Sequence, residues 1–499
     1  MGTRVVAVAV LLGTAWLTLQ VRRRWQMRGR LKKQLAGWRS REAWPDICEQ
    51  FGVTLAGGFL PDSCASRLEA EELQAWEGLI DELPELNRRR RLVGAIEAMP
   101  KCSTRSLTDE RQLRRAYIVL CHLLHSFVNS SKVPWGNLED HGHPSASAAP
   151  KREASARSDC RDNMNESEPC RVPAQLAVPL WDICEQLGLP PVLTAAVDLW
   201  NWRRVRSSGS GTIILTVDDV QVLSTMTGTD TEAYFHLIPC AIQAQLGPIV
   251  LPIFLAPEAL IYPTVSLLAQ NQVWEEGSDV LKAVEEIGAL MQAVREAIEA
   301  STELLKRIQQ LVDKEEFYHI YRPLLGGFYP HGVFLEGVGR EQFDLPWLHD
   351  SQACDGALRV CPKGPSAGQS AAFMLLDLFL GIRHKADAKK FQDEMADRYL
   401  PRNHRKMVQR YRDIVATHGS AATAASACGC DQSVAAARVC REYDACLDAM
   451  ALFRKMHYGI ALSYLSSTST GTGASSFASM LRTFAADTRA ARPVRSETK

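Results

Sequence analysis

A chain of 499 residues exceeds what one compact core organises, so two domains with additions are expected. Its 57 basic and 57 acidic residues cancel, which excludes the electrostatic footprint of a nucleic-acid binder, and a 46% hydrophobic content excludes wholesale disorder. The 14 cysteines are scattered with no CxxC…CxxC or HExxH spacing, so a zinc site has no support and buried thiols in a reducing compartment are expected.

Val5–Val21 carries no charge and runs into Arg22, Arg23 and Arg24, then Arg28, Arg30, Lys32 and Lys33. That pattern reads as a short membrane anchor with the bulk of the chain on the cytoplasmic side. No acid appears before Glu42, so an organelle presequence (mitochondrial or plastid) is the second reading. Residues 1–42 are therefore set apart as an anchor or targeting segment.

Ala43–Lys132 alternates short helical patterns with turns at Pro61-Asp62, Pro84 and Met99-Pro100. Asp109–Ser126 is amphipathic with an acidic first turn and predicts a helix. His122 and His125 lie on it at i, i+3. No third metal ligand accompanies them, so core or surface positions are expected. Asn137–Val172 is rich in Ser, Ala, Pro and charge and predicts a flexible surface insertion. Val178–Arg204 reads as helix, Gly-Leu-Pro-Pro break, then helix. Ser207–Gly211 (SSGSG) marks the boundary between a small helical domain, 43–206, and a large one, 207–486, with a disordered tail over 487–499.

Thr231–Ala256 is strongly apolar, with Asp230, Thr231 and Glu232 as cap and first-turn residues. Gly277–Lys314 predicts one long helix on the stripe Val280, Val284, Ile287, Met291, Val294 and Ile298. Glu315–Arg322 is expected to continue it, bringing Phe317, Tyr321 and Arg322 near one another. An arginine where an apolar run meets Pro323 either forms an internal ion pair or clamps a carboxylate. Ser366-Ala367-Gly368 precedes the helix Ala371–His384, offering small side chains for a flat cofactor or for tight packing. Asp377 in that helix needs a cationic partner, and Arg454 is the candidate. Val434–Leu465 predicts a helix whose inward face carries Phe453, His457, Ile460, Ala461 and Tyr464. Its lone histidine is either a core residue or an axial haem ligand, and the Gly/Ser/Thr-rich loop Thr468–Ser476 reads as a lid.

These segments resemble the indoleamine 2,3-dioxygenase family, collinearly from about Phe51 to about Phe484. The resemblance rests on LAVPLWDICEQLGLPPVLTAAVDLWNW (176–202), PSAGQSAAFMLLDLFLGI (365–382), EYDACLDAMALFRKMHYGIALSYL (442–465) and the GTG loop (471–473). It implies an all-α fold, a small N-terminal helical domain over a large haem-binding one. It implies haem b as cofactor, O2 and L-tryptophan or a related indoleamine as substrates, N-formylkynurenine as product, an electron donor for the haem, and a monomer. His457 falls at the proximal iron ligand, and Asp377 and Arg454 at the buried pair behind it. Arg322 falls at the carboxylate-binding arginine, Phe317 and Tyr318 at the paired pocket aromatics, and Phe235 at the distal aromatic. Ser366 and Ala367 open the turn at the haem edge, and Thr472 is the lid threonine. No residue is implied as an acid or base.

Three positions depart from the family pattern: Pro239 for a distal serine, Ala195 for a small-domain tyrosine, and Pro365 for the glycine before Ser366. The first two remove a hydroxyl and a ring; the third removes a backbone donor. His236 sits beside the distal position, either hydrogen-bonding oxygen or facing away. A non-catalytic haem or oxygen-binding protein is the alternative function.

Overall fold

The computed structural model describes residues 42, 44–135, 170–205, 216–269, 277–339, 352–354, 356–429, 432–465, 471–472 and 477–492. The segment expected to be an anchor, the Ser207–Gly211 breaker and most of the expected lid loop lie outside the described residues.

The fold is all-α with a four-stranded and a two-stranded sheet among the described residues. The principal helices are α1 (Trp44–Phe51), α2 (Gln74–Arg88), α3 (Glu110–Asn129), α4 (Ala174–Leu187), α5 (Val197–Trp200), α6 (Asp230–Ala256), α7 (Asp279–Lys306), α8 (Ala371–Leu380), α9 (Ala386–Tyr399), α10 (Arg402–His418), α11 (Val434–Tyr464) and α12 (Phe477–Ala490). The most extensive packing joins α7 to α11; α6 lies on α7, and α12 on α11. One apolar core runs from Trp44 through Tyr464.

Side-chain caps set several helix starts. Asp109 accepts from Arg111 N at the head of α3, and Ser433 from Ala436 N at the head of α11. Thr229, one residue before the expected cap, accepts from Glu232 N on α6. The Glu232 carboxylate turns back to accept from Met226 N and Thr227 N at 2.8 and 2.7 Å. In α3 the buried Arg115 makes a two-pronged pair with the fully buried Glu77 of α2, at 2.9 and 2.7 Å. The long apolar helix beginning at Asp230 has a mean hydropathy of 1.7, enough to cross a membrane, yet 72% of its apolar window is buried inside the protein. It is the central helix of the core.

Several expectations are corrected. The helix predicted over Gly277–Lys314 ends at Lys306. Val312 is extended, and Asp313 caps a new turn by accepting from Glu316 N at 2.8 Å, so the chain restarts instead of continuing. Phe317–Tyr321 is then a π-helical turn, not α-helix. The helix predicted to reach His384 stops at Gly381, whose φ of +69° and backbone bonds form a left-handed cap. Of the insertion expected over 137–172, residues 170–172 are ordered within the fold. Cys170–Val172 is a strand parallel to Val333–Leu335, and Val172 is fully buried. Residues 487–490 of the expected tail lie in α12, with Asp487 and Thr488 buried and hydrogen-bonded.

Candidate functional site

Helix α11 carries His457 on a face it shares with the buried Phe453, Ile460 and Tyr464. The half-buried imidazole meets no hydrogen-bond partner among the described residues. Burial pushes its pKa down to about 4, so at neutral pH the ring is uncharged with a free nitrogen lone pair.

One turn earlier, Arg454 donates to Asp377 Oδ1 at 2.5 Å, as the sequence predicts. The ion pair is part of a larger group. Burial alone would raise the Asp377 carboxyl, but Arg454 and His384 outweigh it and hold the pKa below its usual value. Asp377 Oδ2 meets His384 Nε2 at 2.9 Å and Gln392 Nε2 at 3.0 Å. Asp487 accepts from Lys385 N at 2.9 Å and faces His384 Nδ1 at 3.4 Å. Arg454 also donates to Thr488 and to the Phe484 carbonyl, so α8, α11 and α12 are joined at one buried point. His384 enters this group only because Gly381 ends α8 and turns the chain back.

On the other side of α11, Tyr464 meets Phe317 edge-on at 5.7 Å. Phe317 meets Phe235 of α6 at 4.9 Å, and Tyr321 stands edge-on to both. The π-helical turn places the two neighbouring aromatics apart. Phe317 is buried in this cluster, while Tyr318 is 36% exposed with the Arg322 guanidinium 5.3 Å over its ring. His236 is buried, with Nδ1 2.7 Å from Asp198 and Nε2 bonded to the Tyr321 hydroxyl. Both ring nitrogens are thus committed within the protein.

The Ser366-Ala367-Gly368 turn closes the arrangement. Ser366 Oγ accepts from Gly368 N, and a Cβ at Gly368 would lie 2.5 Å from the Phe391 ring, which would have to move to admit it. Thr472 is pinned beside the turn: its carbonyl accepts from Gly364 N at 3.0 Å, and its hydroxyl donates to the Pro365 carbonyl. Gln369 links Gly364 O to Ala195 N, at 3.0 and 2.8 Å, tying this loop to the chain after α4. His122 and His125 are core residues, as expected. His125 bridges Leu324 O and Leu193 N, at 2.7 and 2.8 Å. No group able to hold a metal ion through His, Cys, Asp and Glu occurs among the described residues.

The model of the indoleamine 2,3-dioxygenase family matches residues 47–497. The chain belongs to the indoleamine 2,3-dioxygenase family. Among relatives, indoleamine 2,3-dioxygenase 1 of Mus musculus is 25% identical over 406 residues, covering 78% of each chain. The Saccharomyces cerevisiae indoleamine 2,3-dioxygenase is 23% identical, covering 84% of this chain and 80% of its own. A 6-hydroxytryptophan 2,3-dioxygenase of Fusarium equiseti is 25% identical over 87% of this chain and 88% of its own.

Members of this family are oxidoreductases of the dioxygenase class and depend on haem. The residues present fit that cofactor. A neutral imidazole with a nitrogen that bonds no described residue suits an axial ligand, and a buried ion pair one turn away holds its helix against α8. Sequence reasoning missed His384, Asp198 and Gln369 as site neighbours; it placed Tyr321 beside Phe317 and Arg322, but missed its bond to His236. Each is a polar group in or beside an apolar run, which was the available signal.

Proposed function

We propose that this chain is a haem-dependent dioxygenase that inserts O2 across the indole 2,3 double bond of L-tryptophan, giving N-formylkynurenine. The observation that carries the reading is the neutral His457 ring, which bonds no described residue, on the helix face whose Tyr464 abuts the Phe317–Phe235 pair.

His457 holds haem b through its free nitrogen, and the cofactor when bound supplies the oxygen chemistry, given an electron donor. Asp377 and Arg454 keep α11 seated on α8, so the imidazole is presented in one orientation. Arg322 receives the substrate carboxylate, a charge-assisted contact of about 1.5–3 kcal/mol. Phe235 and Phe317 pack against the indole, and Tyr318 flanks the arginine. Ser366 and Ala367 keep the turn small, and Thr472, bonded to the Gly364–Pro365 backbone, anchors a lid that excludes water. The name of the Fusarium relative supports a substituted indole as the nearest alternative substrate.

The test is a spectrum of the purified, haem-loaded protein with reductant and L-tryptophan. A Soret band and growing N-formylkynurenine absorbance are expected. Reversible oxygen binding with no turnover at saturating tryptophan would favour a haem-linked oxygen binder instead, a reading that Pro239, which places no hydroxyl on α6, keeps in view. The uncharged Val5–Val21 segment and its basic flank support membrane attachment facing the cytoplasm. Fractionation of the full chain against one lacking residues 1–42 checks that.

A further inference from the structure

We propose that Asp198, His236 and Tyr321 form a positioning triad that holds the aromatic wall and the arginine of the substrate site in register. This rests on the functional reading above and deepens it. The three residues come from separate parts of the chain: α5, the second turn of α6 and the π-helical turn. Asp198 Oδ1 lies 2.7 Å from His236 Nδ1, and His236 Nε2 bonds the Tyr321 hydroxyl.

The chemistry fixes a direction. A carboxylate only accepts, so Nδ1 carries the ring hydrogen and donates it. Nε2 is then the acceptor, and the Tyr321 hydroxyl donates to it. Burial pushes the Tyr321 phenol well above its usual range, aided by Glu232 and Asp198, which keeps that hydrogen in place. Burial raises the Asp198 carboxyl too, and its bond to His236 pulls the other way. The Asp198 side chain remains 19% exposed, and its second oxygen accepts from no described residue.

The neighbours of the triad give it a task. His236 follows Phe235 in the chain, and Tyr321 precedes Arg322. The Tyr321 ring stands edge-on to Phe235 at 5.6 Å and Phe317 at 6.2 Å. Asp198 lies one turn after Ala195, whose N–H is held by Gln369 beside the Ser366 turn. Rotating either ring of the triad disturbs the wall proposed to face the indole and the backbone bearing Arg322. A buried carboxylate, imidazole and phenol in series cost desolvation, which an apolar wall avoids. Fixed orientation is what they provide in return.

The test is equilibrium binding of L-tryptophan to haem-loaded protein without oxygen, followed by the shift in haem absorption, together with a kcat and KM split in air. Tyr321→Phe keeps the ring and is expected to weaken binding and raise KM by about three- to tenfold with little change in kcat. His236→Asn retains a donor for Asp198 but offers Tyr321 no acceptor, and is expected to match it. Asp198→Asn replaces the charged acceptor of His236 Nδ1–H with a neutral amide, and the Asp198→Asn, Tyr321→Phe double variant is expected to bind no more weakly than the worse single one. Far-UV circular dichroism and haem content identify any variant that fails to fold. Wild-type affinity and KM in folded Tyr321→Phe, or strictly additive losses in the double variant, would overturn the triad. Wild-type protein that loads haem but binds no indole overturns the functional reading instead. The triad is then decided by the same cycle in thermal unfolding, where additive Tm shifts sink it and non-additive ones support it.

Discussion

Arg454 donates to Asp377 at 2.5 Å, one helical turn before His457. The pair joins α11 to α8 in the interior, where both side chains are largely buried. Asp377→Ala leaves Arg454 and His384 facing an empty site. It is expected to cost about 3–5 kcal/mol in denaturant unfolding, against less for Asp377→Asn, which keeps the shape. Because the folded carboxyl lies below its usual pKa, its contribution is present above about pH 4 and lost as pH falls below that.

His457→Ala removes a ring that bonds no described residue, so the fold is expected to lose only about 1 kcal/mol. The haem Soret band, by contrast, is expected to vanish or to shift to that of a loosely held cofactor. Unchanged haem stoichiometry and spectrum in the variant would refute the assignment.

Arg322→Ala is expected to lower kcat/KM for L-tryptophan by about tenfold to 150-fold, the equivalent of one charge-assisted contact. Turnover of an indole lacking the carboxylate should change far less. Equal losses on both substrates would place Arg322 outside carboxylate recognition.

Three core histidines, His122 and His125 of α3 and the buried His404 of α10, are expected to weaken the fold in acid. Burial depresses His122 and His404 to about 3 and His125 to about 4. The unfolded chain takes up protons on these rings below about pH 6.5, while the folded one does not. Stability is therefore expected to fall as pH drops from about 6.5, by up to about 1.4 kcal/mol per pH unit for each ring. Unfolding midpoints measured from pH 7 to 5 check this, and His404→Gln should flatten the slope.

Pro239 lies inside α6 and has no N–H to give the Phe235 carbonyl one turn earlier. Pro239→Ser is expected to restore that bond and raise stability by about 1 kcal/mol. It also places a hydroxyl one turn beyond Phe235, and a change in tryptophan KM would show that this position faces the substrate.

Much of the architecture is legible in the sequence. The apolar run of α6, the apolar stripe of α7, the inward face of α11, the acidic first turn of α3 and the spacing of Arg454 and His457 are local signals, and they place the helices and the shared face. The pairing of Asp377 with Arg454 follows from charge in an apolar run. Periodicity fails where local chemistry interrupts it. Asp313 restarts a helix that hydrophobic spacing would continue, and Gly381 ends one that reads as reaching His384.

The sequence by itself determined the helical class, the family and the residues at which a cofactor and a carboxylate are proposed to bind. Only the tertiary structure decided which polar groups meet. Asp198 and His236 are 38 positions apart, His236 and Tyr321 85, and His384 and Asp487 103. Helical periodicity specifies which face a side chain occupies, over distances of a turn or two. Which face it meets depends on how whole helices pack, and buried polar groups then find the partners that packing supplies.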